Sequence, residues 1–298
     1  MTIPPYLKSG DTIGIVSTAR KISLPEMEAS LKIIEEWDVQ PFFGKTTTLE
    51  HHQFAGTDHE RADDFQKMLD DEDIKAIWCA RGGYGTVRII DFIDFTHFKK
   101  YPKWIIGYSD ITVLHSHIHN FGITTMHAPM PVDFHKCTQE AKQVFKKLLF
   151  GEKVSYEIQP SSKNKLGSGS GQLIGGNVSV LYSLCGSVSA TETDGKILCI
   201  EDLDEYLYHI DRMLQNLKRN SYFEKLHGLI VGGMNSMHDN IIPFGKTVPE
   251  IILEAVSEYD FPVVFDFPMG HIENNQALIL GAEVLLEVGE DGVRMEYI

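Results

Sequence analysis

Strand-sized apolar runs alternate with helix-period segments through the first half of the chain, and that alternation leaves few folds open. Thr12-Ile-Gly-Ile-Val-Ser17, Val39–Phe43, Ala76–Ala80, Trp104–Ile106 and Thr124–Ala128 read as short strands. Pro25–Trp37, His59–Asp71, Thr86–Phe95, the stretch opening at Asp110, and Thr138–Phe150 read as the helices between and after them. In the first helix Met27, Leu31 and Ile34 share one face, while Glu26, Glu28, Lys32 and Glu35 lie elsewhere. Strand and helix in strict turn, with short connections, predict a parallel sheet covered by helices on both faces, because parallel neighbours need a crossover. Ligands of such sheets gather beyond the carboxyl ends of the strands. Arg81-Gly-Gly-Tyr-Gly85 and Gly107-Tyr-Ser109 both fall at such ends.

The texture changes near Gly151. Pro160-Ser-Ser-Lys-Asn-Lys-Leu-Gly-Ser-Gly-Ser-Gly171 is polar and glycine-rich and reads as a linker. The expected organisation is therefore a domain over 1–152, a linker over 153–171 and a second domain over 172–298. In the latter, Gly175-Gly-Asn177 opens a short helix, Lys196–Glu201 is a strand ending in acids, and Tyr206–Asn220 is amphipathic. Gly228–Gly232 and Val263–Phe267 are further strands around a helix at Val248–Tyr259. Short antiparallel strands are expected from Ala277 to the end.

Composition narrows the partners. A net charge of -15 argues against broad binding to nucleic acid or an anionic membrane. No stretch approaches the roughly 18 apolar residues of a membrane span. The N-terminus carries no charged segment followed by an apolar core, which points to the cytoplasm. The four cysteines (Cys79, Cys137, Cys185, Cys199) have no Cys-x-x-Cys spacing and read as reduced thiols.

Ser109 sits where an apolar strand turns into a helix. Such a serine has its hydroxyl pushed above the sheet edge, with helix-start amides aimed at the same space. The same serine also reads as a simple helix N-cap. Two more acid–base residues end apparent strands: Glu201, with Asp202, Asp204 and Glu205 as rival acids, and His271 after Gly270. Serine, acid and histidine in that order can build a triad. Equally, the acidic run reads as a solvated helix start and His271 as a turn histidine. Gly83 of the Arg81 loop offers a second oxyanion amide, or only a tight turn. That loop is neither Gly-x-Gly-x-x-Gly nor a Walker loop, so no nucleotide site follows from it. His115, His117 and His119 lack a completing Glu for a zinc motif and read as structural. Ser162-Lys-Asn-Lys165 matches Ser-x-x-Lys only formally.

Taken together, these pieces resemble the LD-carboxypeptidase family of serine peptidases, which includes murein tetrapeptide carboxypeptidases and microcin C immunity peptidases. The resemblance rests on Gly10-Asp-Thr-Ile-Gly-Ile-Val-Ser17, Arg81-Gly-Gly-Tyr-Gly85, Ile106-Gly-Tyr-Ser-Asp110, His127-Ala-Pro129, Leu173-Ile-Gly-Gly-Asn177, Ile200-Glu-Asp202 with Ile210-Asp-Arg212, and Gly270-His271 with Asn275. It departs from the family's Gly-His-Gly pattern at Ile272. It implies an α/β fold: a parallel-sheet N-terminal domain of flavodoxin- or glutamine-amidotransferase-like kind plus a smaller β-rich α/β C-terminal domain. It further implies a homodimer, no metal or other cofactor, and a triad built across the two domains. In that triad Ser109 is the nucleophile, His271 the general base and then acid, and Glu201 the orienting carboxylate. The amides of Gly83 and Asp110 form the oxyanion hole.

The expected activity is a cytoplasmic carboxypeptidase that cleaves an L,D peptide bond and releases D-alanine from a murein tetrapeptide in cell-wall recycling. Arg81 is the candidate for the substrate's terminal carboxylate, being the cation nearest the site in sequence. Tyr84 and Asn177 are candidates to line the pocket. Two alternatives stand beside this: a microcin-immunity-type peptidase acting on a peptidyl-nucleotide analogue, and a non-catalytic ligand-binding module on the same scaffold.

Overall fold

A computed structural model describes residues 1–298. The chain divides into two compact units, Met1–Glu152 with Glu273–Ile279, and Lys153–Ile272 with Leu280–Ile298.

The first unit runs β1 (Thr12–Val16), α1 (Leu24–Glu35), β2 (Gln40–Phe43), α2 (Asp58–Asp70), β3 (Ile74–Cys79), α3 (Thr96–Lys100), β4 (Trp104–Gly107), α4 (Thr112–His119), β5 (Thr125–His127) and α5 (Gln139–Leu149). Strands β2, β1, β3, β4 and β5 pair in that order, all parallel. Helices α1 and α2 begin where the sequence supplies capping boxes, Ser23 with Glu26 and Thr57 with Glu60, which satisfy otherwise orphaned amides. The core is aromatic: Trp78 lies 5.4 Å from both Phe134 and Phe145, and its indole N–H donates to the Pro129 carbonyl at 2.8 Å.

The expected helix over Thr86–Phe95 is instead two short 3-10 turns, Thr86–Arg88 and Ile90–Phe92. The segment is pinned at both ends: the Thr86 amide donates to Asp110, and the Asp94 amide donates to Gln66. Ile93 then adopts an extended backbone, which ends any helical run.

The second unit contains β6 (Ser155–Ile158), β7 (Gly167–Asn177), α6 (Val178–Leu184), β8 (Ile197–Leu203), α7 (Leu207–Arg219), β9 (Gly228–Asn235), α8 (Val248–Ala255) and β10 (Val263–Val264). After β11 (Leu278–Leu280) it closes with β12 (Glu283–Gly289) and β13 (Gly292–Tyr297). The seven-stranded sheet has the order β10-β9-β8-β7-β12-β13-β6. It is parallel from β10 to β7 and antiparallel from β7 to β6. Ile174, Leu198, Ile200, Leu214, Leu217, Phe223 and Val231 are among its buried core residues.

Two expectations are corrected here. The stretch 153–171 is not a linker: it supplies β6 and the first half of β7, which pairs with β12. Its glycines answer crowding rather than flexibility. A Cβ on Gly169 would strike the His227 carbonyl, and one on Gly171 the Gly195 carbonyl. Second, Leu278–Leu280 does not join the C-terminal antiparallel strands. It lies beside β5 at the edge of the first sheet.

Candidate active site

Parallel pairing of β3 with β4, with Trp78 opposite Ile106, brings the segments that follow them side by side. Gly82 therefore lies over Ser109: a Cβ built on it would come 3.3 Å from the serine Oγ. Gly107 has φ +157°, and a Cβ there would come 2.8 Å from Ile111, so only glycine lets the turn tighten at this point. Ser109 itself has φ +61°, a left-handed conformation that serine rarely adopts. It is half-buried and opens the 3-10 turn Ser109–Ile111. A strained, non-glycine residue at a strand-to-helix turn is the arrangement that holds a nucleophile out from the backbone. The backbone amides of Gly83 and Asp110 donate to no protein acceptor.

Asp110 does more than supply an amide. Its side chain is buried, and Oδ2 accepts the Thr86 N–H at 2.9 Å, tying the glycine loop to the serine turn. Burial raises its pKa, against the pull of the Thr86 donors and the Arg61 charge. Arg61, with no exposed surface, braces the same loop from below, donating to the carbonyls of Thr18 and Gly85 at 2.5 and 2.9 Å.

His115 is fully buried, and burial pushes its pKa down to about 3. The neutral ring donates Nε2–H to the Gly107 carbonyl at 2.9 Å, steadying the strand end before Ser109. His119 bonds Thr125 Oγ1 at 3.1 Å. His115 makes a stability prediction. Unfolded, the residue binds a proton near pH 6.5; folded, not until about 3. The stability it contributes is whole above pH 6.5 and is lost as pH falls through 6.5 toward 3, at up to about 1.4 kcal/mol per pH unit. His115→Gln is expected to lose stability less steeply than wild type between pH 6.5 and 4. Parallel curves of urea-unfolding free energy against pH would remove His115 from this account.

In the second unit, Glu201 and His271 meet directly. Glu201 is wholly buried on β8, and its Oε2 accepts from His271 Nδ1 at 2.6 Å. A carboxylate on Nδ1–H leaves Nε2 as the basic nitrogen, the tautomer a general base needs. Gly270 makes the approach possible: it has φ +97°, and a Cβ there would lie 2.6–2.7 Å from Glu201 Cβ, Cγ and Oε2. Ile272, the departure from the family pattern, points its side chain at Gly233, where a Cβ would come within 2.8 Å of it.

Glu201 and Asp202 are both buried, as is every residue of β8 from Ile197 to Asp202, a strand interior to its sheet. Burial on both faces accounts for it, and the pairing of β8 with β9 shifts register between Ile200 and Asp202. Asp202 accepts from Asn177 Nδ2 at 3.0 Å, the Ser179 amide at 2.8 Å and the Leu203 amide at 2.9 Å. Burial, and then the Glu201 charge, push its pKa up to about 7.

The pocket role expected of Asn177 is corrected. It is 3% exposed, donates to Glu201 Oε1 at 3.3 Å as well as to Asp202, and caps α6 through the Val180 amide. Arg81 has a partner already: Nη1 pairs with Glu26 at 3.3 Å and reaches the Lys21 carbonyl at 3.4 Å. Tyr84 is exposed on the glycine loop. Within the first unit, then, Gly83, Ser109 and Asp110 belong to one turn-and-loop assembly; within the second, Glu201, His271 and Asn177 form one network. The part of Asp202 in this network and the need for glycine at 270 were not assigned from the sequence, because hydrogen-bond partners and close approaches leave no signal in residue type.

The four thiols are free, and Cys79, Cys137 and Cys199 are buried. No helix is long and apolar enough to cross a membrane.

Comparison with known proteins follows the same two-part division. The LD-carboxypeptidase N-terminal domain matches residues 13–128 and the LD-carboxypeptidase C-terminal domain residues 170–286. A Bacillus subtilis (strain 168) protein named "Probable murein peptide carboxypeptidase" is 34% identical over 96% of this chain and 92% of its own. The murein tetrapeptide carboxypeptidase of Pseudomonas aeruginosa is 27% identical over 92% of both. Among solved structures, microcin C7 self-immunity protein MccF in its wild-type apo state superposes with a TM-score of 0.89 at 23% identity, covering 100% of this chain and 99% of that one. That likeness establishes the same two-domain α/β fold. With both domain families matched in order and a relative 34% identical along nearly the whole length, the chain belongs to the LD-carboxypeptidase family of serine-type peptidases.

Proposed function

We propose that this protein is a serine carboxypeptidase that hydrolyses the L,D bond of a murein tetrapeptide and releases its terminal D-alanine. The observation that carries the reading is the buried Glu201 carboxylate on His271 Nδ1 at 2.6 Å, in a chain whose Ser109 holds a left-handed turn. The names of the Bacillus and Pseudomonas relatives support the substrate.

In this mechanism His271 Nε2 takes the Ser109 proton as Oγ attacks the scissile carbonyl. The oxyanion is held by the amides of Gly83 and Asp110, one such donor being worth about 100- to 1000-fold in rate. His271 then passes its proton to the departing amine of D-alanine. Water, deprotonated by the same imidazole, resolves the acyl-enzyme. Tyr84 borders the substrate from the glycine loop, Arg81 shapes that loop through Glu26, and Asn177 acts behind Glu201. No metal or cofactor takes part in these steps.

The enzyme works in the cytoplasm, as part of cell-wall recycling, and pairs as a homodimer. The pairing rests on the family resemblance and on the loop tip Ile241–Ile242, whose side chains are almost wholly exposed.

The test is incubation of wild type with L-alanyl-γ-D-glutamyl-diaminopimelyl-D-alanine in EDTA, followed by chiral analysis of the products. Release of D-alanine is expected. An intact tetrapeptide would sink the substrate assignment, and a peptidyl-nucleotide analogue is the next substrate to try.

A further inference from the structure

A carboxypeptidase must recognise a free terminal carboxylate. In a substrate cut one residue from its end, that group is three bonds beyond the scissile carbonyl carbon. The cation that reads it must therefore lie about one residue away from the oxyanion-binding amides. The guanidinium closest in sequence, Arg81, is held by Glu26. Arg61 is buried beneath the loop, Arg88 is paired with Asp58, and Lys21 with Glu50.

Arg20 is different. It follows β1, whose carboxyl end lies beside that of β3, with Val16 opposite Cys79. Its amide reaches the Gly82 carbonyl at 3.4 Å. Its side chain lies on the face of Gly83 where a Cβ would otherwise be: a methyl there would come 2.5 Å from Arg20 Cδ and 2.7 Å from Nε. Gly83, at φ +107°, leaves that space open, and Gly82 beside it covers Ser109. The residue is exposed, and its guanidinium makes no hydrogen bond or ion pair within the protein. An uncommitted, planar, always-charged donor fork thus rests one residue from the nucleophile's cover, on a chain with an excess of acidic groups.

We propose that Arg20 is the specificity-determining residue that binds the substrate's C-terminal carboxylate, with the open face of Gly83 positioning its guanidinium. The assignment rests on the carboxypeptidase reading above. It gives a reason for Gly83 separate from any oxyanion role: alanine there would displace the arginine.

The experiment compares the tetrapeptide acid with its C-terminal amide, on wild type, Arg20→Ala, Arg20→Lys and Arg81→Ala, with thermal unfolding as a control for fold. Wild type is expected to prefer the acid by about 10- to 100-fold in kcat/KM, the range of a charge-assisted hydrogen-bond pair. In Arg20→Ala the acid-to-amide ratio falls toward one, mostly through KM, while Arg20→Lys keeps part of the preference and added guanidinium ion restores part of it. A ratio unchanged in Arg20→Ala but collapsed in Arg81→Ala overturns the assignment and leaves the carboxypeptidase reading standing. A wild type that cleaves neither substrate overturns that reading, and the Arg20 assignment with it.

Discussion

Ser109→Ala is expected to lower kcat for D-alanine release by about 10⁴- to 10⁶-fold, the range seen when a triad nucleophile is deleted. Alanine removes Oγ and nothing else, so substrate still binds and KM changes little. The residual rate reports direct attack by water in an intact oxyanion site. The backbone supplies a second readout. Ser109 stays at φ +61° in either protein, and alanine bears the left-handed strain as serine does. Ser109→Gly relieves it. Set against glycine's greater freedom in the unfolded chain, the glycine variant should be more stable than the alanine variant by about 1 kcal/mol, by urea unfolding. Both are expected to be inactive. A variant that lost the hydroxyl and kept its rate would remove Ser109 from the mechanism.

Glu201→Gln should cost about 10⁴-fold in kcat with the fold preserved, by analogy with the same exchange in other triads. The reason lies in the donors around the carboxylate. Oε1 accepts from Asn177 Nδ2 and Oε2 from His271 Nδ1. Glutamine has one acceptor for these two donors. If its oxygen stays with Asn177, its NH₂ faces His271 and forces the ring to carry its proton on Nε2, where it cannot accept one from serine. The side chain keeps its volume, so the loss should appear in kcat and hardly in the unfolding midpoint. Proton NMR of the imidazole would show the change of tautomer. A Glu201→Gln enzyme within tenfold of wild type would contradict the role given to this pair.

Much of this was legible in the residues. The apolar runs ending at Ala80 and Ile106 located the strand ends to within a residue, and Gly107, two residues before Ser109, marked the turn. Its left-handed backbone was not legible, since nothing in Gly-Tyr-Ser-Asp distinguishes a strained serine from an ordinary N-cap. Glu201 and Asp202 read as rival acids because they are neighbours at one strand end; which of them meets His271 is set by the folded chain, not by either residue type. Gly167–Gly171 read as flexible because composition reports what glycine permits, not why it is there. In β7 it is there because neighbouring carbonyls occupy the space of a side chain. Arg20 had no signal at all, since its position depends on a glycine some sixty residues away in the chain.

Residues 273–279 return to the first unit after the second has been largely built, so the chain passes between the units three times. The halves are consequently not modules that a gene could exchange at a single junction. Expressing 1–152 alone would strip β11 from the first sheet and leave the edge of β5 bare, an invitation to pair with another copy. His127 would lose Asn275 and Thr138 would lose Asn274 in the same cut. A recombination that moved the second half to a new partner would have to carry a strand fitted to the old one. Any exchange of the second half would therefore need at least two junctions, one on each side of residues 273–279.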